Sequence, residues 1–178
     1  VDMKPSHIMR LRKADLVLKV GMEMDPWMDA LVEQAGNRRI LKGQPGHVDA
    51  SEGIQALEVP VVLDRAQGDV HPFGNPHYWL DPMNAKQIAQ TVSDALSRVD
   101  PEGTKGYEER LKAFQETIDR KMETWQKRLA PLKGSNVITY HRSWSYFAHR
   151  FGIKVLAELE PKPGIPPTPS HLEKIVAT

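Results

Sequence analysis

The chain has 178 residues, 40% of them hydrophobic, with 24 basic against 23 acidic side chains, a net charge of +1 and no cysteine. That length holds one domain or two small ones with a real core; the balanced charge gives no broad basic face for nucleic acid, and no run nears the ~20 apolar residues of a membrane span. Without cysteine there are no disulfides, thiolate zinc sites, iron–sulfur clusters or cysteine nucleophile, which confines any metal site to imidazole and carboxylate.

In chain order, the first hundred residues alternate short apolar runs with amphipathic stretches, the pattern of βα units around a parallel sheet. Ser6 is expected to cap a helix running to Lys13, and Asp15 to Val20 reads as a buried strand ended by Gly21. Asp25 and Pro26 start a helix with Trp27, Leu31 and Val32 on one face, closed by Gly36 and Asn37. Met22 and Met24 read as the edge of that lobe's core. Arg38 to Leu41 reads as a weak strand, Ser51 to Leu57 as a short helix, Val59 to Leu63 as a strand, and Asp64 to Pro76 as a polar loop rich in turn formers.

A helix from about Pro82 to Val99 carries Ala85, Ile88, Ala89, Val92 and Leu96 near one face, and Asp100, Pro101 and Gly103 break it. Tyr107, Leu111, Phe114, Ile118, Met122, Trp125, Leu129 and Leu132 then recur at steps of 4, 3, 4, 4, 3, 4 and 3. One apolar stripe therefore follows a single helix roughly 38 Å long. A coiled-coil arm is the alternative, but the opposite face lacks a regular pattern of partner charges, and a helix bridging two lobes is the favoured reading. The βα grammar resumes with a strand at Asn136 to Tyr140, a helix at Arg142 to Phe151, a strand at Lys154 to Leu159 and a helix from Thr168. Glu160 to Pro169 carries five prolines, a stiff connection within the domain rather than a Pro-rich ligand for another domain. The fold class expected is α/β: a lobe over residues 1–101, a bridging helix over 102–133 and part of a second lobe over 134–178. The chain opens at Val1 without a signal-like segment and stops at Thr178 inside a helical pattern, and it is read as a piece of a longer or processed protein.

In open α/β sheets ligands bind beyond the carboxyl ends of the strands, a rule that sorts the seven histidines. His141 directly follows the strand ending at Tyr140. His77 sits in Gly74–Asn75–Pro76–His77–Tyr78–Trp79–Leu80–Asp81–Pro82, beyond the strand ending at Leu63. Two imidazoles facing each other supply half of a tetrahedral zinc-type site. His71 reads as an auxiliary ligand or an exposed loop residue. Asp81 and Asp64 are candidates to orient His77 by hydrogen bonds, with Asp81 equally readable as a helix cap. His7, His47, His149 and His171 read as structural or solvated.

The words around these residues carry a resemblance. Gly68 to Pro82 resembles, almost letter for letter, the segment that bears a metal-binding His in the solute-binding proteins of zinc and manganese ABC transporters. Val1 to Ser6, Ala14 through Trp27, Ile138 to His141 with Tyr146–Phe147, and Glu160–Pro161–Lys162–Pro163–Gly164 are similar to further stretches of that family, in the same order. The resemblance implies two α/β lobes joined by a long helix, a divalent ion held in the cleft between them, delivery of that ion to an ABC permease in the membrane, and a periplasmic or cell-surface, extracytoplasmic location. It assigns metal ligation to His77 in the first lobe and His141 in the second. It also implies that the first ligand, a His, and the fourth, an acid, lie outside Val1–Thr178, together with the opening strand and helix of the first lobe and part of the second.

Imidazole at position 141 favours zinc over manganese, which the family takes where a carboxylate replaces it; iron is the third candidate. The long His- and acid-rich loop common in zinc-selective members is absent between Gly36 and Pro82. Two alternatives from other classes are a zinc-dependent hydrolase and a surface adhesion protein that retains the fold. Against the hydrolase stand the lack of an HExxH pair, of a GxSxG elbow and of an evident general base.

Overall fold

The computed structural model describes residues 4–61, 71–162 and 164–177. The α/β class is what it shows, with short parallel strands and one long helix. The chain divides into two compact units: unit 1 comprises Val1–Ile54 with Lys86–Thr117, and unit 2 comprises Gln55–Ala85 with Ile118–Thr178.

Unit 1 begins with α1 (Pro5–Leu11), whose first position is proline. Pro5 presets the helical φ and lacks only an N–H that would be unsatisfied there, which moves the cap from Ser6 to Lys4; His7 Nδ1 accepts the Lys4 N–H at 3.4 Å. β1 (Val17–Lys19) is shorter than its apolar run, with Val17 buried and Leu18 43% exposed. α2 (Trp27–Ala35) buries Leu31, Val32 and Ala35 and ends at Gly36 in the left-handed conformation, as a C-terminal glycine should. Met22 is buried, whereas Met24 is exposed.

The strand expected at Arg38–Leu41 is instead a 3-10 turn over Arg38–Ile40. Asn37 explains it: its Oδ1 accepts the Arg39 N–H at 3.1 Å, a local bond that competes with strand pairing. Its Nδ2 donates to the carbonyls of Leu11 and Ala14 at 2.9 and 2.7 Å, tying the turn to the end of α1. The partner of β1 is β2 (His47–Asp49), parallel and in register Val17 to His47 through Lys19 to Asp49. Val17, Val32 and Ile40 form the core here, with Leu11, Ala14, Met28 and Leu41 packed on it. The helix expected at Ser51–Leu57 is a turn over 51–53 followed by irregular chain; Gly53 at φ 77° takes the backbone out of the helical region. Residues 59–61 form no strand, and Val62 and Leu63 lie outside the described residues.

α3 (Asn84–Val99) buries Thr91, Ser93 and Ala95 most deeply, so its closest packing falls on small side chains while Ile88, Val92 and Leu96 stay half-buried. α4 (Thr104–Leu129) is the long helix of the apolar stripe, prolonged by a 3-10 turn over Ala130–Leu132. The stripe is its protected side: Met122 is buried and Tyr107, Leu111, Ile118, Trp125 and Leu129 are half-buried, although Phe114 and Leu132 are exposed. No helix among the described residues is long and apolar enough to cross a membrane.

In unit 2, β3 (Asn136–Thr139) pairs in parallel with β4 (Lys154–Glu158). Asn136 and Val137 face Lys154 and Val155, but Ile138 and Thr139 face Ala157 and Glu158, so the register slips between Val137 and Ile138. α5 (Ser145–Phe151) connects the strands and buries Tyr146, Ala148 and Phe151. α6 (Pro169–Val176) follows the proline-rich loop, capped by Thr168, whose Oγ1 accepts the His171 N–H.

Candidate metal centre

Both site histidines belong to unit 2. Parallel strands end on one edge of a sheet, so His141, two residues beyond β3, comes out beside Glu160, two residues beyond β4. His141 Nδ1 meets Glu160 Oε2 at 2.5 Å. The same carboxylate oxygen accepts the Gly164 N–H at 3.4 Å from the turn that follows, where Lys162 and Ile165 form an antiparallel bridge. Glu160 is thus held on two sides, and its contact with His141 keeps its carboxyl below the usual carboxylate range.

His77 reaches the same place because α5 grips the 75–81 segment at two points one helical turn apart. Tyr146 Oη donates to the Asn75 carbonyl at 2.8 Å and accepts the Leu57 N–H at 3.0 Å. Four residues on, Arg150 forks onto Asp81, Nε to Oδ1 and Nη2 to Oδ2, both at 2.7 Å. Between these anchors the chain makes a 3-10 turn over Tyr78–Leu80, and the Tyr78 ring is almost fully buried. Asn75, itself buried, organises the turn: Oδ1 accepts both the backbone N–H of His77 at 3.0 Å and ring Nδ1 at 2.9 Å. Its Nδ2 donates to the Arg142 carbonyl at 2.7 Å and to Glu58 Oε2 at 2.9 Å.

The two imidazoles meet edge to face, ring centroids 5.2 Å apart and planes at 75°. Trp79 flanks His77 at 5.4 Å between centroids. Both rings spend Nδ1 on an oxygen acceptor. In the neutral imidazole the other nitrogen then carries the lone pair, so Nε2 of each ring is a ready metal donor. Burial and the neighbouring His141 and His71 lower the pKa of His77, which favours that neutral form.

Asp81 does not face His77: its carboxylate is taken by Arg150 and by the Met83 N–H at 2.9 Å, so it fixes the turn that carries the histidine and caps the start of the next helix. The ring is held by Asn75, a role sequence reasoning gave to Asp81 and Asp64. The signal was present, since Asn followed by Pro favours a turn in which the Asn side chain caps the N–H two residues on. Asp64 lies outside the described residues. His71 is half-buried, near enough for its charge to act on His77. Among the described residues no group of three or more His, Cys, Asp or Glu stands ready to hold an ion. The other histidines serve elsewhere: His47 Nδ1 contacts the Ile40 carbonyl at 3.0 Å, His171 Nε2 contacts the Glu158 carbonyl at 3.0 Å, and His149 is exposed.

A family model described as zinc-uptake complex component A, periplasmic, matches residues 1–178. The high-affinity zinc uptake system protein ZnuA of Yersinia pestis is 28% identical over 186 residues, covering 97% of this chain and 58% of its own. The iron-binding protein YfeA of the same organism is 27% identical, covering 84% of this chain and 45% of its own. Among solved structures, a 138–173 deletion mutant of ZnuA with zinc bound aligns with a TM-score of 0.78 at 27% identity, over 99% of this chain and 62% of that one. The chain therefore spans between 45% and 62% of the length of these relatives.

Proposed function

Since the chain belongs to the family of the periplasmic zinc-uptake component A, we propose that it is part of an extracytoplasmic receptor that captures a divalent transition metal on His77 and His141 and hands it to an ABC permease. The ion is cargo, bound and released with no covalent bond made or broken. The observation that carries this reading is the spacing of the two rings. Two imidazoles sharing one tetrahedral ion, each with a metal–nitrogen bond of about 2.0–2.1 Å, have centroids about 5 Å apart; those of His77 and His141 are 5.2 Å apart.

Zinc is the favoured cargo, because a pair of neutral imidazoles is a borderline-soft donor set and the zinc-named relatives align over almost the whole chain. Manganese ranks next and iron third, the latter named in a relative of similar identity. Two imidazoles leave a tetrahedral ion two ligands short, a remainder left to water or to groups outside the described residues.

Calorimetric titration of the intact protein with zinc and with manganese tests the proposal. One zinc per chain is expected, weakened at least a hundredfold by His77→Ala or His141→Ala, with manganese binding more weakly. Unchanged zinc affinity in both variants, or zinc-dependent turnover of a model phosphoester, overturns it.

A further inference from the structure

We propose that Glu160 is a positioning residue for His141: through the hydrogen bond from ring Nδ1 it fixes the tautomer and the direction in which Nε2 is offered, and so sets the metal affinity of the site. The inference rests on the reading of His141 as a ligand.

Geometry carries the argument. His141 lies in the β3–α5 connection, outside any regular element, with its side chain 36% exposed. A loop histidine with that much freedom samples both tautomers and several ring orientations, and each must be frozen when an ion arrives. Glu160 removes this freedom before binding. Its side chain is only 13% exposed and meets Nδ1 at 2.5 Å. The carboxylate is in turn restrained: the Glu160 backbone N–H donates to the Tyr140 carbonyl at 3.0 Å, continuing the β3–β4 ladder, and Oε2 also takes the Gly164 N–H.

The turn that supplies this second donor is shaped by glycine. Gly164 has φ 79°, which an L side chain adopts only with strain, and the Ile165 N–H closes onto the Lys162 carbonyl at 3.0 Å. Ladder and turn therefore hold Glu160 independently, as a rigid backing for the ring. A carboxylate that accepts from Nδ1 also raises electron density at Nε2. His77 is backed differently, by the neutral Asn75 amide. The site thus pairs one carboxylate-backed imidazole with one amide-backed imidazole.

The test compares Glu160→Ala and Glu160→Gln with the parent in the intact protein. Long-range 15N–1H spectra of the metal-free state report which nitrogen of His141 carries the proton, and zinc titration reports affinity. The parent is expected to show one tautomer, protonated at Nδ1. Alanine should give a mixture and a 10- to 100-fold loss of zinc affinity; glutamine, still an acceptor, should keep the tautomer and lose less than tenfold. Helical circular dichroism equal to the parent's identifies alanine-variant protein that is folded, and glutamine supplies the readout if alanine does not fold. A parent spectrum with Nε2–H, or an alanine variant with parental tautomer and affinity, overturns the positioning role. Unaltered affinity in His141→Ala overturns the ligand reading instead, and leaves the tautomer result standing as the separate outcome.

Discussion

Asn75 holds His77 twice with one oxygen: Oδ1 accepts the backbone N–H of residue 77 and, from the same side chain, ring Nδ1. The first contact shapes the turn and the second orients the ring, so the local fold and the direction of the His77 imidazole depend on a single amide. Asn75→Ala is expected to lower zinc affinity about 10- to 100-fold and to cost about 1–3 kcal/mol of stability, because the Arg142 carbonyl and the His77 N–H lose partners. Asn75→Asp keeps the acceptor but loses the donor and sets a carboxylate against Glu58, so its stability should fall further than its affinity. Zinc titration with chemical denaturation separates the two effects. Equal affinity in the alanine variant would refute the orienting role.

The fork between Arg150 and Asp81 predicts the converse separation. Asp81 is buried, and Arg150→Ala leaves its carboxylate with the Met83 N–H alone among the contacts described above. The expected loss is about 2–4 kcal/mol, read by denaturant unfolding. Arg150→Lys should recover only part of it, since an ammonium cannot make two parallel bonds. A folded Asp81→Asn protein should bind zinc with close to parental affinity; a large affinity loss at unchanged stability would show that Asp81 orients the ligand after all.

The lowered pKa of His77 gives a pH dependence of definite sign. Protonation is harder in the folded state than in the unfolded chain, whose histidines titrate near 6.5. Stability from this residue is therefore complete above about pH 6.5, where both states are neutral, and is lost as pH falls through the lowered folded value. A proton-detected titration of the metal-free protein should place His77 below 6.5. His141→Ala should raise it, by removing one of the neighbours that oppose its charge. A midpoint at or above 6.5 in the parent contradicts the burial described for this ring.

Two glycines in unit 1 should respond unequally to alanine. Gly21 and Gly36 both have positive φ, 82° and 65°. A Cβ on Gly21 would come within 1.9 Å of Asp49 Oδ1, whereas one on Gly36 meets nothing within 4 Å. Gly36→Ala should cost only the left-handed strain of about 1–2 kcal/mol. Gly21→Ala must also displace Asp49 from its bonds to Ser51, and should cost measurably more in the same unfolding assay.

The parts legible in the sequence are those where chemistry repeats at a fixed period. α4 could be read from apolar residues spaced three and four apart, seven of them in the helix and the eighth, Leu132, in the turn that prolongs it, and most of that stripe is buried or half-buried. β2 could not, because His47–Val48–Asp49 offers one apolar residue and no alternation to detect. The strand assigned to Arg38–Leu41 failed for a local reason, the Asn37 cap, that β propensity ignores. At the site, the positions of His77 and His141 came from surrounding words and strand-end logic. Asn75 was half legible as an Asn-Pro turn, and Glu160 was not legible as a histidine partner, because its closeness to His141 depends on the pairing of two strands.

That pairing turns on one residue. Had β3 and β4 kept the alignment of Asn136 with Lys154, the position beside His141 would be Leu159, an aliphatic side chain unable to take a proton from an imidazole. The slip between Val137 and Ile138 advances β4 by one place and brings glutamate there instead. A single extra residue in a short strand thus acts as a selector of chemistry. A substitution in Lys154–Glu158 that restored regular pairing without changing the length of the strand would exchange Glu160 for Leu159 beside His141, rewriting its surroundings from a distance.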